Sequence, residues 1–291
     1  MKRRDFFKYT ALTAGAITVN PYTKIFSGKN IFRGERKYAN DIVMLGKTGI
    51  KVSRLAVGTG TNGFAHRSNQ TEELGVKGLA DLLLAAYDQG INFWDSADSY
   101  GTHPHLNEAL KHIKRNKVVI LTKTHASTAE EMKSDIDRFL KEIGTDYIDI
   151  LLLHMMRSAD WTEEKSGAME VLEKARKDGI IRAHGVSCHT IGALEAASNS
   201  DWVQVDLARI NPDGVLMDDE VPVVIKTVQK MHKQGKGIVG MKIFGGGRLT
   251  GKPDECLKFV LGLDFVDAFT IGQESQNQML DLVKRIPAMS I

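Results

Sequence analysis

From residue 41 onward the chain alternates short apolar runs with longer segments of helical periodicity. This alternation is typical of repeated βαβ units, which build a parallel sheet covered by helices. A chain of 291 residues is long enough for one eight-stranded barrel and a short extension. Eight units can be counted, with predicted strands at residues 54–57, 92–95, 118–122, 148–154, 183–187, 202–206, 237–241 and 268–271. The sequence therefore predicts an α/β fold, a (β/α)8 TIM barrel over residues 41–291.

Helical periodicity fills the segments between these runs, and glycines follow several of the predicted helices, as C-terminal caps do. The predicted helices cover residues 77–89, 107–114, 129–143, 164–178, 192–198, 221–234, 255–262 and 276–285. Because few residues follow the last helix, and because the connection from His154 to Trp161 is short, we expect a short C-terminus and an open pocket.

Polar residues stand where several of the predicted strands end. Asp95, Lys123 and His154 each close an apolar run, and Tyr100 follows Asp95 by five residues. The carboxyl ends of the strands are where such a barrel places its reactive groups. A Tyr hydroxyl, with an ordinary pKa of about 10, donates a proton poorly at neutral pH unless a nearby ammonium favours its ionised form. Taken singly, Asp95 is equally compatible with helix capping, Tyr100 with loop packing and His154 with a structural role.

Several sequence segments occur together in the order found in one known family. They are MLGKTGIKVSRLAVGTG, INFWDSADSYG, TKTH, DYIDILLLH, GVS at 185–187, VQVD at 203–206 and IGQESQNQMLDLV. From about residue 41 to the end, the chain resembles the aldo-keto reductase family. The resemblance implies an N-terminal β-hairpin before the barrel and NAD(P)-dependent hydride transfer to a small carbonyl substrate such as an aldehyde, ketone or keto-sugar. It also implies that Tyr100 is the general acid/base, supported by Lys123, Asp95 and His154.

The same resemblance assigns a nucleotide site with several departures from the family pattern. Ser187 and Gln204 match residues that hold the nicotinamide carboxamide, whereas Cys188 stands where the family has Asn, and a thiol is a weaker hydrogen-bond partner. Met241 replaces a stacking aromatic ring. The remaining expected contacts are Lys242, the glycines Gly245, Gly246 and Gly247 near the pyrophosphate, and Gly272, Glu274 and Gln278 near the adenosine ribose.

The choice between NADP and NAD stays open at this point. Family members that prefer NADP hold its 2′-phosphate with basic residues after the last strand, where this chain has Gly272, Gln273, Glu274 and Gln278. A carboxylate opposes a phosphate and suits a ribose hydroxyl, which favours NAD. The family as a whole favours NADP.

Other functions compete with this interpretation. A cofactor-binding sensor or auxiliary module on the same fold would keep the four residues without turnover. A lyase or isomerase that uses Lys123 as a Schiff base is a further alternative, although Asp95 disfavours the neutral amine that it needs. A catalytic Cys188, assisted by His184 and His189, is disfavoured because neighbouring residues of a strand face opposite sides.

The remaining polar and aromatic residues give weaker signals. His103 and His105 flank Pro104, and without acidic or thiol neighbours in sequence they predict no metal site. Trp161 suits either a pocket wall or the barrel rim, and Arg209 suits either an anionic substrate or a surface ion pair. Cys188 and Cys256 are too few for a disulfide framework and are expected to be reduced and buried.

The N-terminal 40 residues carry a different kind of signal. KRRDFFKYTALTAGAITV joins Arg3 and Arg4 to Phe6 and Phe7 and a short apolar stretch, and it resembles a twin-arginine export signal. We expect residues 1–40 to be this signal and a linker, the protein to be periplasmic, and the export machinery to be a partner. The protein would be membrane-tethered if the signal is not cleaved, but the apolar stretch is too short for an ordinary transmembrane helix.

With 39 basic and 36 acidic residues and no charged block, no nucleic-acid partner is expected.

Overall fold

The structure, a computed structural model, describes residues 36–290. Eight parallel strands, β3 to β10, close into a barrel in which each strand pairs with the next and β10 pairs with β3. The strands are β3 Leu55–Gly58, β4 Phe93–Asp95, β5 Val119–Thr124, β6 Ile148–Met156, β7 Ile181–Cys188, β8 Val205–Arg209, β9 Gly237–Met241 and β10 Ala268–Gly272. The predicted TIM barrel is therefore confirmed.

Helices follow the strands and surround the barrel. They are α1 Asn69–Glu73, α2 Gly75–Asp88, α3 His103–Leu110, α4 Ala129–Ile143, α5 Trp161–Glu164, α6 Ser166–Lys177, α7 Ile191–Asn199, α8 Val221–Lys233, α9 Pro253–Leu261 and α10 Gln276–Met289. The local sequence accounts for α4 well: Thr128 and Glu131 form a capping box at its start, and Gly144 ends it in the left-handed conformation.

A two-stranded antiparallel hairpin precedes the barrel, as the resemblance implied. It consists of β1 Ile42–Met44 and β2 Lys51–Ser53. Leu45, Ile50 and Val52 of this hairpin are fully buried and pack with the residues of the barrel interior, among them Phe93 and Leu121. The hairpin thus closes the end of the barrel opposite to the carboxyl ends of the strands.

Two apolar layers stabilise the barrel. Alternate residues of each strand fill the interior, while the residues between them pack outward against the helices. Strands that are buried on both faces read as continuous apolar runs, which is why the strand positions were predictable.

Two local differences between the sequence prediction and the structure concern the sixth barrel strand and the helix after Tyr100. The strand β8 begins at Val205, whereas it was predicted over 202–206, and α3 begins at His103, whereas it was predicted over 107–114. Pro104 accounts for the second error, because proline is tolerated in the first turn of a helix and does not have to precede it.

Residues at the predicted domain boundary pack against the barrel. Ala39 is buried in the outer layer, and the Lys37 ammonium donates to the Leu261 carbonyl at 2.6 Å. The twin-arginine-type segment lies outside the described residues, and most of the predicted linker does as well. Within residues 36–290, no helix is both long enough and apolar enough to cross a membrane.

Candidate active site

The four polar residues singled out from the sequence converge at the carboxyl ends of adjacent strands. Asp95 is the last residue of β4, Lys123 lies near the end of β5, and His154 lies near the end of β6. Tyr100 closes a short 3-10 helix, Asp98–Tyr100, that follows β4. Neighbouring parallel strands end at one edge, so the fold itself gathers these side chains.

Lys123 and Asp95 form a buried ion pair. The Lys123 ammonium donates to Asp95 Oδ1 at 2.6 Å and to the carbonyl of Ser96 at 2.5 Å. Thr270, on β10, donates to the other Asp95 oxygen at 3.0 Å. Burial alone would lower the pKa of Lys123, but the charge of Asp95 and the contribution of Tyr100 leave that pKa above its ordinary value. Lys123 therefore remains an ammonium ion, which disfavours the Schiff-base alternative.

The Tyr100 ring lies against this ammonium. Lys123 Nζ is 4.7 Å from the ring centroid, a cation–π distance. The sequence led us to expect that Lys123 would lower the pKa of Tyr100 toward neutrality. Instead, burial raises the pKa of Tyr100 above its ordinary value, because it outweighs the lowering effect of Lys123. The hydroxyl consequently carries its proton at neutral pH, and the Lys123 ammonium offsets part of the cost of giving that proton up.

His154 completes the group as a neutral imidazole. Its ring meets the Tyr100 ring edge-on, with centroids 5.8 Å apart, and it stacks on His125 at 4.7 Å. Burial, followed by the charge of Lys123, holds the pKa of His154 well below its usual range. A neutral ring can donate one hydrogen bond to a substrate oxygen without adding a charge.

Ser187 connects this group to the neighbouring strand. Its hydroxyl oxygen accepts a hydrogen bond at 2.9 Å from the backbone N–H of Met155, the residue after His154. Met155 has a φ of 62°, in the left-handed region that non-glycine residues rarely adopt, at an irregularity in the pairing of β6 with β7. The Ser187 hydroxyl can still donate its own hydrogen.

Two expected carboxamide contacts do not face the pocket beside this group. The Cys188 thiol is buried in the outer apolar layer, where burial raises its pKa well above the usual value. Gln204 precedes β8, so it lies near the amino end of that strand, and its side-chain oxygen accepts from the backbone N–H of His184 at 3.3 Å. Because β8 begins at Val205, and not at residue 202 as predicted, Gln204 precedes this strand. These positions disfavour both contacts as well as the catalytic-cysteine alternative.

The end of β9 carries the next predicted contacts. Met241 belongs to the interior layer and is 8% exposed, so it lies at the top of the barrel lumen. Lys242 follows with a φ of 57°, and burial, together with the charges of Arg209 and Lys123, lowers its pKa.

The glycine-rich turn is less open to a phosphate than its sequence suggested. The backbone N–H of Gly245 donates to the Lys242 carbonyl at 2.8 Å, and that of Gly247 donates to Phe244 at 3.0 Å. A Cβ on Gly246 would meet Leu216 at 2.8 Å. Two of the three expected amide donors are therefore already used within the turn.

The loop after β10 is tied to the start of α1. Glu274 accepts a hydrogen bond from Asn69 at 2.8 Å, and its backbone N–H donates to the side chain of Gln278 at 2.8 Å. Gln273 is fully buried, and neither of its amide atoms has a hydrogen-bond partner within the described part of the chain. Gly272 precedes it and is exposed.

Comparison with known proteins identifies the group to which this site belongs. The sequence profile of the aldo/keto reductase family matches residues 54–261, which is more than half of the chain. The chain belongs to the aldo/keto reductase family.

Individual relatives are distant from this aldo/keto reductase. Aldo-keto reductase YhdN of Bacillus subtilis is 31% identical over 163 residues, which cover 51% of this chain and 47% of the relative. D-threo-aldose 1-dehydrogenase of a Pseudomonas species is 24% identical over 234 residues, covering 69% and 68%. A holo-form aldo-keto reductase structure from Bacillus halodurans, 18% identical, matches with a TM-score of 0.69 over 84% of this chain and 90% of the other. The chain spans about half the length of several curated relatives that it matches.

Sequence reasoning missed three residues that touch the reactive group of this aldo/keto reductase: Ser96, Thr270 and His125. Period-two alternation along β10 places Thr270 on the same face as the interior residue Ala268, so this signal was present in the sequence. Ser96 acts through its backbone carbonyl, which no residue-type signal reveals.

Other sequence candidates have structural roles. His103 bonds Thr122 at 2.7 Å and Glu142 at 2.8 Å, and Trp161 is buried in the outer layer, where it donates to the Ala193 carbonyl at 3.2 Å. Arg209 pairs with Asp218.

Asp98, His103 and Glu142 lie close enough together to suggest a metal site. The Arg138 guanidinium, however, already pairs with both carboxylates, at 2.6 Å to Asp98 and 3.2 Å to Glu142. This group is therefore an ion-pair network that fixes α4 beside Asp98.

Proposed function

We propose that this aldo/keto reductase is an NAD(P)-dependent oxidoreductase that transfers a hydride between a nicotinamide nucleotide and a small carbonyl or alcohol, with Tyr100 as the general acid/base. The observation that carries the proposal is the buried Lys123–Asp95 pair, which holds an ammonium 4.7 Å from the Tyr100 ring centroid. A buried charge of this kind costs stability unless it is paired. A charge buried beside a phenol is typical of a functional site, because it stabilises the ionised form of the phenol.

We propose the following roles for the residues of the protein in the reductive direction. A reduced nicotinamide, when bound, would supply the hydride for the carbonyl carbon. Tyr100 donates its proton to the carbonyl oxygen as the carbon–oxygen double bond becomes single, which yields the alcohol. Lys123 stabilises the resulting tyrosinate, and solvent returns the proton. His154 donates a hydrogen bond to the same oxygen, which positions the carbonyl before transfer.

The nucleotide is expected on the β7 to β10 side of the pocket. Ser187 keeps a hydroxyl hydrogen to donate, Met241 offers an apolar surface to a flat ring, and the buried amide of Gln273 retains its full hydrogen-bonding capacity. These residues fit a nicotinamide nucleotide. We propose NAD as the preferred form, because Glu274 opposes a 2′-phosphate and no basic side chain stands at 272, 273 or 278.

For the substrate, we propose a small aldehyde, ketone or keto-sugar. The relative from Pseudomonas is named as an aldose dehydrogenase, and its alignment covers about two thirds of both chains. Polar groups at the reactive end, namely Tyr100, His154 and the exposed His125, suit a hydroxylated substrate.

Hydride transfer tests the proposal directly. Purified protein should oxidise NADH in the presence of at least one member of a panel of small aldehydes and keto-sugars, and the corresponding alcohol should accumulate in equal amount. Nucleotide binding without turnover on any member would instead support the sensor or auxiliary function.

We further propose that the chain is exported to the periplasm through the twin-arginine pathway, on the basis of the sequence around Arg3 and Arg4 alone. The double variant Arg3→Lys, Arg4→Lys should retain the protein in the cytoplasmic fraction. Undisturbed export of that variant would contradict the proposal.

A further inference from the structure

The ring of Tyr100 is flanked by a loop that contains two glycines beside it. The loop, residues 59–67, follows β3, and it approaches the ring with two glycines. A Cβ added to Gly60 would come within 3.0 Å of ring atoms Cδ2, Cε2 and Cζ, and one added to Gly63 would do the same to Cγ, Cδ1 and Cε1. The two glycines therefore border opposite edges of the phenol, while Lys123 lies over the ring.

These glycines are not required by the backbone of the loop. The segment Thr61-Asn62-Gly63 suggests a turn in which glycine takes the left-handed conformation. In the structure Asn62 takes that conformation, with a φ of 54°, and neither Gly60 nor Gly63 has a positive φ. A positive φ therefore does not explain the glycines at 60 and 63, and the nearest obstacle to a side chain at either position is the Tyr100 ring.

The loop is anchored to the elements that carry the reactive residues. Thr59 donates its backbone N–H to the Asp95 carbonyl at 3.0 Å, and its hydroxyl bonds the same carbonyl at 2.9 Å. The turn closes through a 3.0 Å hydrogen bond from Gly63 N–H to the Gly60 carbonyl. At the far end, the side-chain oxygen of Gln70 accepts from Thr61 N–H at 3.0 Å.

A second contact joins the loop to the 3-10 helix that ends in Tyr100. The His66 ring nitrogen Nδ1 lies 3.1 Å from the Asp98 carbonyl oxygen, and the His66 carbonyl packs so closely on Gly101 that no Cβ would fit there. The residues before and after Tyr100 are thus held by the same loop that borders its ring.

We propose that loop 59–67 is a positioning element for Tyr100, in which Gly60 and Gly63 fix the phenol against the Lys123 ammonium. The inference rests on the proposed role of Tyr100 as proton donor. Displacement of a reacting group by about 1 Å can cost on the order of a hundredfold in rate. Gly60 and Gly63 would therefore affect the rate through the position of the Tyr100 ring, without touching the substrate.

Alanine substitutions at the two glycines test the proposal, with Gly251→Ala as the matched control. Gly251 has no atom within 4 Å of an added Cβ and no positive φ. Gly60→Ala and Gly63→Ala should lower kcat at least about tenfold while KM and the nucleotide Kd change by less than about twofold. The control should match the parent protein. Unchanged kcat in both variants of an active protein would overturn the proposal.

A measurement that does not depend on activity separates this proposal from the proposed function. Tyrosine labelled with 13C at Cζ gives one signal for each of the six tyrosines, and Tyr100→Phe identifies the signal of Tyr100. Alanine at 60 or 63 should move that signal and its alkaline titration, whereas Gly251→Ala should not. An unmoved signal would overturn the positioning role even if the protein proves inactive toward every carbonyl.

Thermal unfolding provides a safeguard against variants that simply fold poorly. Gly63→Ala should lower the unfolding midpoint in the parent protein but much less in a Tyr100→Ala background, because the ring that obstructs the new methyl group is absent. Equal losses in the two backgrounds would show that Gly63 serves the turn, contrary to the proposal.

Discussion

The two sides of the pocket differ in how completely their buried polar groups are paired. On the β4 to β6 side, Lys123 is satisfied by Asp95 and by the Ser96 carbonyl, and His154 Nδ1 is buried without a partner among the described residues. On the β7 to β10 side, the amide of Gln273 has no partner among the described residues, and the salt bridges of residues 36–290 include none to Lys242. We infer that interactions within the chain assemble the proton-transfer side, whereas the nucleotide side acquires its remaining partners on binding.

The largest effect is expected when the Lys123–Asp95 ion pair is broken. Lys123→Met leaves the Asp95 carboxylate buried without its ammonium, and we expect a loss of about 3–5 kcal/mol in the free energy of unfolding. Hydride transfer should fall by on the order of a hundredfold or more, because the tyrosinate loses its stabilising charge. Chemical denaturation and single-turnover kinetics measure both quantities.

Two further variants control this prediction. The exposed Lys226→Met should change stability by less than about 0.5 kcal/mol. Adding Asp95→Asn to Lys123→Met should recover part of the stability but none of the activity. A Lys123→Met variant as stable as the parent protein would show that the Lys123–Asp95 pair does not stabilise the fold as expected.

Ser187 tests whether the two sides are independent. In Ser187→Ala, the Met155 N–H loses its partner beside His154, which we expect to cost about 1–3 kcal/mol of stability. Both the nucleotide affinity and the hydride-transfer rate should fall, each by about tenfold. A loss confined to affinity would mean that the sides act separately, and isothermal titration with single-turnover kinetics distinguishes the two results.

A smaller effect is expected at Glu274, where charge governs the choice of nucleotide. Glu274→Gln removes the repulsion of a 2′-phosphate, so the ratio of the NADPH to the NADH dissociation constant should fall by roughly fivefold, equivalent to about 1 kcal/mol. Fluorescence titration with each nucleotide measures this ratio, and the exposed Glu195→Gln serves as the control. An unchanged ratio would remove the charge argument for NAD.

The smallest effect is expected at Cys188. Because its thiol lies in the outer apolar layer, Cys188→Ala should leave the nucleotide dissociation constant within about twofold of the parent value, with only a modest loss of stability from the smaller side chain. A tenfold loss of affinity would restore Cys188 to the carboxamide contact that its sequence position suggested.

The same contrast explains what the sequence could and could not predict. The barrel and the group of Asp95, Tyr100, Lys123 and His154 were predictable, because buried strands read as apolar runs and because strand ends mark the reactive edge. The position of Gln204 differs from the prediction because β8 starts three residues later than predicted, which leaves Gln204 at the amino end of the strand. Cys188 differs because residues along β7 alternate between the interior and the outer layer, and Cys188 faces the outer layer. The loop of Gly60 and Gly63 gave no signal, since its contribution is the absence of side chains.

The most direct test of the account is a comparison of Tyr100→Phe with the parent protein in single-turnover hydride transfer and in nucleotide binding. We expect transfer to fall by on the order of a thousandfold with the nucleotide dissociation constant nearly unchanged. Since burial raises the pKa of Tyr100 above its ordinary value of about 10, the parent rate should also be flat between about pH 6 and 9. Undiminished transfer by Tyr100→Phe would contradict the assignment of Tyr100 as proton donor, and with it the central claim that the β4 to β6 side is a complete proton-transfer site.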